Sequence, residues 1–335
     1  MNTLRLLVVP ALALSLVACG SGTTPPTSQP DLSVEPSQTR SITFGPVAVA
    51  PGVEKTQCIT IRLGNTKAFH AGSIHNELGP ASHHLIVYKV ADTVENTTPT
   101  DCQPFTDTLD PAKGSPLMIT QKADEVLALP AGVAYAIDEN QMLRLEVHYV
   151  NASTSSVMLT AKTTFIELPE EQFKQAAGFL FVGNPDITLP PHAISTLGPT
   201  MFKLPADLAG SSFFAITGHE HKLGTNVTVS TAAADGTAAE SVYDVQNWKW
   251  SESPTVYAPT PFVAPTGGGF SFTCSWNNTT DQSVSFGEST ENEMCFFWAY
   301  YYPDKGSRVC FHTNRLGGTG ADLCCPGSEL CTLFK

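Results

Sequence analysis

The chain has 335 residues, with 31 acidic and 18 basic side chains and a net charge of -13. That length suffices for two domains, and the acidic balance argues against nucleic acid as a partner. Charged residues make up only 15% of the chain, Gly and Pro number 25 each, and short β-forming runs alternate with turn residues, which predicts an all-β protein built as sandwiches.

Residues 1–18 read as a signal peptide. Arg5 is its basic end and Leu6 to Val17 its apolar core, too short for a comfortable membrane span. Leu16-Val17-Ala18-Cys19 resembles the lipobox of bacterial lipoproteins. It predicts cleavage before Cys19 and lipid on its sulfur, which would place an exported protein on the membrane of the bacterial cell envelope. Residues 19–41 are rich in Ser, Thr, Pro and Gln and read as a disordered tether. Eight cysteines remain beyond Cys19, and export permits up to four disulfides.

Residues 42–168 hold the strand candidates of a first sandwich. Cys58 to Leu63 alternates, and His83 to Tyr88 is a short buried strand. In Met142 to Val150, Leu143, Leu145, Val147 and Tyr149 form an apolar face, and Arg144, Glu146 and His148 the opposite one. On that reading Arg144 and Glu146 are a solvated pair. Residues 169–177 are polar and predict a short helix linking the halves. A second sandwich is expected over 178–303. It holds Thr217-Gly218-His219-Glu220-His221-Lys222-Leu223-Gly224 between two strand-like runs, where i and i+2 residues share a face, so that His219 and His221 can hold one ion. Residues 304–335 carry Cys310, Cys324, Cys325 and Cys331 and read as a stapled tail. Adjacent cysteines rarely bond to each other, which leaves two pairings open. His70, His75, His192 and His312 match no ligand position and read as surface or hydrogen-bonded histidines.

His83, His84 and His148 can form one three-nitrogen site. His219, His221 and Met294 can form a second, with two nitrogens and a thioether. Thioether sulfur favours Cu(I), and imidazole suits copper in both oxidation states, whereas zinc seldom takes Met.

Four runs, Ser82 to Tyr88, Leu145 to Tyr149, Gly218 to Gly224 and Gly287 to Cys295, resemble the type II copper, ascorbate-dependent monooxygenases, such as peptidylglycine α-hydroxylating monooxygenase and dopamine β-hydroxylase. They come in that family's order and at similar separations. The resemblance implies two consecutive jelly-roll-like sandwiches with a solvent-filled cleft between them and one copper in each. The copper on His83, His84 and His148 would pass electrons. The copper on His219, His221 and Met294 would bind dioxygen beside the substrate, making these three the catalytic residues. Ascorbate is the implied reductant, and a C–H bond of a small organic molecule is hydroxylated. The resemblance also implies disulfides Cys58–Cys102 and Cys274–Cys295.

Peptide-amidating members carry an Arg two residues before the H-x-H, where this chain has Thr217. They carry polar residues after the Met-Cys pair, where it has Phe296 and Trp298. If these side chains line the substrate pocket, the substrate has an apolar or aromatic body, such as an amine drawn by the acidic surface. Two competing readings are a lipoprotein that stores or scavenges copper with the same six ligands, and a structural sandwich whose histidines meet by chance.

Overall fold

The computed structural model describes residues 38–104, 113–315 and 320–326. The expected signal peptide, Cys19 and most of the tether lie outside the described residues, as does Cys331.

The first half runs through β1 (Thr39–Val49), β2 (Glu54–Arg62), β3 (Phe69–Leu78), β4 (Ser82–Val90), β5 (Asn96–Asp101), β6 (Gly114–Thr120), β7 (Asp124–Ala128), β8 (Val133–Ile137), β9 (Met142–Val150) and β10 (Val157–Leu168). The second half has β11 (Gln175–Ala176), β12 (Gly178–Gly183), β13 (Thr188–Leu189), β14 (Ala193–Lys203), β15 (Ser212–His219), β16 (Gly224–Ala232) and β17 (Ala238–Asp244). It continues with β18 (Val256–Phe262), β19 (Gly269–Asn278), β20 (Val284–Ser285), β21 (Phe296–Tyr302), β22 (Arg308–Thr313) and β23 (Ala321–Cys325). The fold is all-β. The only helical segments among the described residues are single 3-10 turns, at Glu170–Gln172, Ala206–Leu208 and Trp250–Glu252. The helix expected over 169–177 is thus one such turn, followed by β11, which pairs parallel with β8. With Pro169 ahead of it and only three residues turning, the segment is too short to sustain α-helical bonding.

Two sheets build the first half. One has the order β1-β10-β3-β8-β11, with β7 on β3; the other is β5-β2-β9-β4-β6. β9 is the middle strand of its sheet and is buried along almost its whole length. The face read from sequence as polar is therefore covered. Glu146 accepts a hydrogen bond from the Tyr88 hydroxyl at 2.8 Å, and Arg144 reaches Asp92 at 3.3 Å. Both are buried rather than solvated.

A six-stranded sheet, β18-β15-β21-β12-β22-β23, faces a four-stranded one, β14-β19-β16-β17, in the second half. β22 lies parallel to β12 inside the larger sheet, so the segment read as a tail contributes two strands to it. Disulfides join Cys58 to Cys102, Cys274 to Cys295 and Cys310 to Cys324.

β21 explains how the halves are joined. Its sequence, Phe-Phe-Trp-Ala-Tyr-Tyr-Tyr, has no polar face, as expected of a strand covered on both sides. Phe297, Ala299 and Tyr301 enter the core of the second half. Phe296, Trp298 and Tyr300 point the other way and join a core that is continuous with Leu145, Val147 and Tyr149 of the first half. Gly183 on β12 sits opposite Phe296, and a Cβ there would fall 1.7 Å from the Phe296 ring. Gly183→Ala should therefore displace that ring and lower stability by about 1–3 kcal/mol. Urea denaturation reads this as a lower midpoint at unchanged slope; an unchanged midpoint would mean that the ring does not rest on Gly183.

Candidate metal centre

Consecutive residues of a regular strand point to opposite faces, so His83 and His84 could not both serve one site on a plain β4. The ladder between β4 and β9 resolves this. Ser82 pairs with Tyr149 and His84 with His148, and the register shifts between them. Two residues there oppose one, as in a β-bulge, which re-aims the extra side chain. The ring centroids of His83, His84 and His148 consequently lie 5.1–5.3 Å apart, and one ring nitrogen of each falls within 4.8 Å of the others.

The H-x-H pair is built differently from the expected strand. β15 ends at His219, and His221 lies in the turn before β16. A buried carboxylate, rather than strand pleating, sets its direction. Glu293 accepts from the backbone N–H of His221 at 2.9 Å, from that of Leu223 at 2.7 Å and from Trp276 Nε1 at 2.9 Å. Burial pushes its pKa up to about 7, against the lowering effect of those donors. His221 Nδ1 meets the Asn292 carbonyl at 3.1 Å, which leaves Nε2 buried and unpartnered. Gly224 closes the turn so tightly that a Cβ would stand 2.4 Å from Glu220 Oε2. His219 and His221 are 5.1 Å apart by ring centroids.

The two sets are not separated by solvent at this point. His83 lies 6.0 Å from His219 and 5.8 Å from His221, and His84 lies 6.3 Å from His219. Nitrogens of His83, His219 and His221 also fall within 4.8 Å of one another, so His83 belongs to both groups. Hydrogen bonds also run across the halves. Thr255 donates to Glu125 at 2.8 Å, and Tyr257 bonds the backbone of Val126 and Ala128. Gln121, just past β6, meets His219 Nδ1 at 2.8 Å through Nε2, while its Oε1 has no partner. With the amide turned over, Oε1 accepts from Nδ1–H and leaves Nε2 of His219 free for a metal.

Burial, reinforced by neighbouring histidines, holds His83, His84 and His219 well below the usual histidine range. Burial also depresses His221, to about 4. His148 is lowered by burial too, against the opposing effect of Glu54. All five rings are thus neutral at pH 7, the form that binds metal. The Nε2 atoms of His83 and His84 are also buried without partners. Five neutral imidazoles with unspent nitrogens fit a transition metal far better than a hydrophobic core, where an unpaired polar atom is a cost.

Met294 is half-buried against the first core, directly after Glu293. Thr217, Phe296 and Trp298 are all buried. Thr217 is buried and bonds Thr255, Phe296 stacks on Phe181, and both are committed to packing. Trp298 lies in the same layer but brings its ring 6.1 Å from His219. His70, His75, His192 and His312 stand apart from the centre, each on a carboxylate: Glu170, Asp124, Asp281 and Asp322. Sequence reading missed Glu54, Gln121, Trp250 and Glu293. Trp250 sits 5.1 Å from His83 by ring centroids. Of these, only Glu293 carried a local signal, its place beside Met294.

The arrangement defines a cluster of histidines able to hold metal, shared between two packed β-sandwich halves. Residues 176–317 match the family model for the copper type II ascorbate-dependent monooxygenase C-terminal domain. Among solved structures the chain is similar to PNGase F, a glycosylasparaginase from Flavobacterium meningosepticum, at 10% identity over 80% of this chain and 97% of that one, with a TM-score of 0.32. It is also similar to a putative secreted protein from Parabacteroides distasonis, at 10% identity over 79% and 81%, with a TM-score of 0.21. Likenesses this weak say nothing about fold or function.

Glu293→Ala strips the partner from three buried donors, each costing about 1–3 kcal/mol when left unsatisfied. The expected result is a loss of at least about 3 kcal/mol in denaturant unfolding. A loss under about 1 kcal/mol would show that the turn holds His221 without this carboxylate.

Proposed function

We propose that this protein is a copper-dependent monooxygenase that hydroxylates a C–H bond of a small organic substrate, using dioxygen and an electron donor such as ascorbate. The observation that carries the reading is the convergence of His83, His84, His148, His219 and His221, with ligand nitrogens to spare, against a domain of this copper family. His83, His84 and His148 would hold one copper, and His219, His221 and Met294 a second. Copper supplies one-electron transfer and the activation of dioxygen. The chain's own residues do the rest. Burial keeps the imidazoles neutral, Glu293 fixes the His221 turn, and Gln121 orients His219. The surrounding aromatic layer keeps bulk water away from the histidines. The two coppers belong to two domains, one over 42–168 and one over 178–303 completed by β22 and β23, and the lipobox-like run at Cys19 supports export and a lipid anchor in the bacterial cell envelope.

A second reading, copper storage without turnover, draws on the same enclosure. Four of the five histidines are almost entirely buried and His84 is partly so, and Thr217 and Phe296 are spent on packing, which leaves less of a substrate pocket than the family resemblance implies.

Metal analysis after copper loading should give two coppers per chain, falling to one in His219→Ala. Oxygen uptake with ascorbate and a panel of amines and peptides should depend on substrate. Met294→Ile should abolish it while the copper on the first set stays bound. Copper binding with no substrate-dependent uptake would favour storage; an absence of copper would sink both readings.

A further inference from the structure

Glu54 stands at the start of β2, two residues before Thr56, the cross-strand partner of His148. Its carboxylate makes contacts in both halves. Oε1 lies 3.0 Å from His148 Nε2 and also accepts the backbone N–H of Thr290 at 2.7 Å. Oε2 accepts from the Ser289 hydroxyl at 3.1 Å. Ser289 and Thr290 open the turn that runs through Asn292 and Glu293 to Met294, and within it Asn292 N–H bonds the Ser289 carbonyl. This is the turn whose Glu293 and Asn292 also hold His221. A single partly buried carboxylate therefore touches one histidine of the first set and the segment that supports the second.

The chemistry of that contact is specific. A carboxylate is an acceptor only, so the proton it meets must sit on His148 Nε2. That leaves the lone pair of a neutral His148 on Nδ1. An acid-base pair of this kind fixes both the tautomer and the ring orientation of a metal-ligating histidine. The same carboxylate holds the Ser289–Thr290 backbone by one amide and one hydroxyl.

We propose that Glu54 is a positioning residue that holds His148 as an Nδ1 ligand and clamps the Ser289–Thr290 turn, setting the two ligand sets in register through one side chain. This rests on the copper reading for its purpose, but its two structural consequences can be read in metal-free protein. Nitrogen-15 NMR of the full chain should show His148 protonated at Nε2. Hydrogen exchange should show the Thr290 amide protected. In Glu54→Ala the tautomer preference should disappear and Thr290 should exchange about tenfold faster or more, with β21 protection unchanged. Glu54→Gln retains an acceptor for Thr290 but loses the charge. It should keep most of the protection while weakening the His148 tautomer preference, and it serves should the alanine variant fail to fold. On copper titration, Glu54→Ala should lower the affinity of the His83–His84–His148 set about 10–100-fold. His148 protonated at Nδ1 in the wild type would overturn the proposal. So would an unchanged tautomer and exchange rate in both variants. Copper bound equally by wild type and Glu54→Ala sinks the role of Glu54 and leaves the copper reading standing. A wild type that shows the tautomer and the protection yet binds no copper does the reverse.

Discussion

Everything at the centre depends on one constraint: five imidazoles must be held neutral, close together and out of water. Free histidine titrates near 6.5, so a cluster of five would ordinarily take up protons and repel itself. Burial removes that option. Burial in turn requires two sandwiches to meet over a dry, well-fitted surface. Phe296, Trp298 and Tyr300 supply it by joining the core of the first half. Keeping the histidines neutral and packing the halves are thus one problem. A change that loosened the aromatic layer would readmit water and protons to the histidines before it unfolded either half.

The strand pattern was largely legible in the sequence, because half-buried and fully buried strands leave different marks. β9 was placed by its alternation, and β21 by its unbroken apolar run. The candidate ligands could be named because histidines are few and come in recognisable runs. Their geometry could not. The shift that lets His83 and His84 share a face lies in the β4–β9 pairing, which no single strand encodes. The direction of His221 is set by Glu293, 72 residues away in the chain. Gln121 and Glu54 reach their histidines across 98 and 94 residues. Each is a polar residue of ordinary type in an ordinary strand end, distinguished only by what folding brings to it.

Where sequence reasoning misplaced a residue, the cause was an assumption about faces. Arg144 and Glu146 share a face with His148, and that face was taken as wet. In a sheet covered on both sides, a polar face is a buried network instead. Thr217, Phe296 and Trp298 were singled out because they fall where peptide-amidating members carry polar groups. On β15 and β21 they face the neighbouring sheet. The Cys-rich end was set apart by its composition, yet Cys310 lies on β22, beside β12, and its disulfide to Cys324 ties that strand to the next.

That last strand order has a consequence for biogenesis. β15, which ends in His219, finds its inner partner only in β21, and β12 is flanked by β21 on one side and β22 on the other. A chain emerging amino end first would therefore present His83, His84 and His148 well before the sheet that carries His219 can close. Until residues beyond 302 have emerged, the first three histidines have no counterpart and β12 and β15 have open edges. Assembly of the cluster thereby waits for the carboxy-terminal strands.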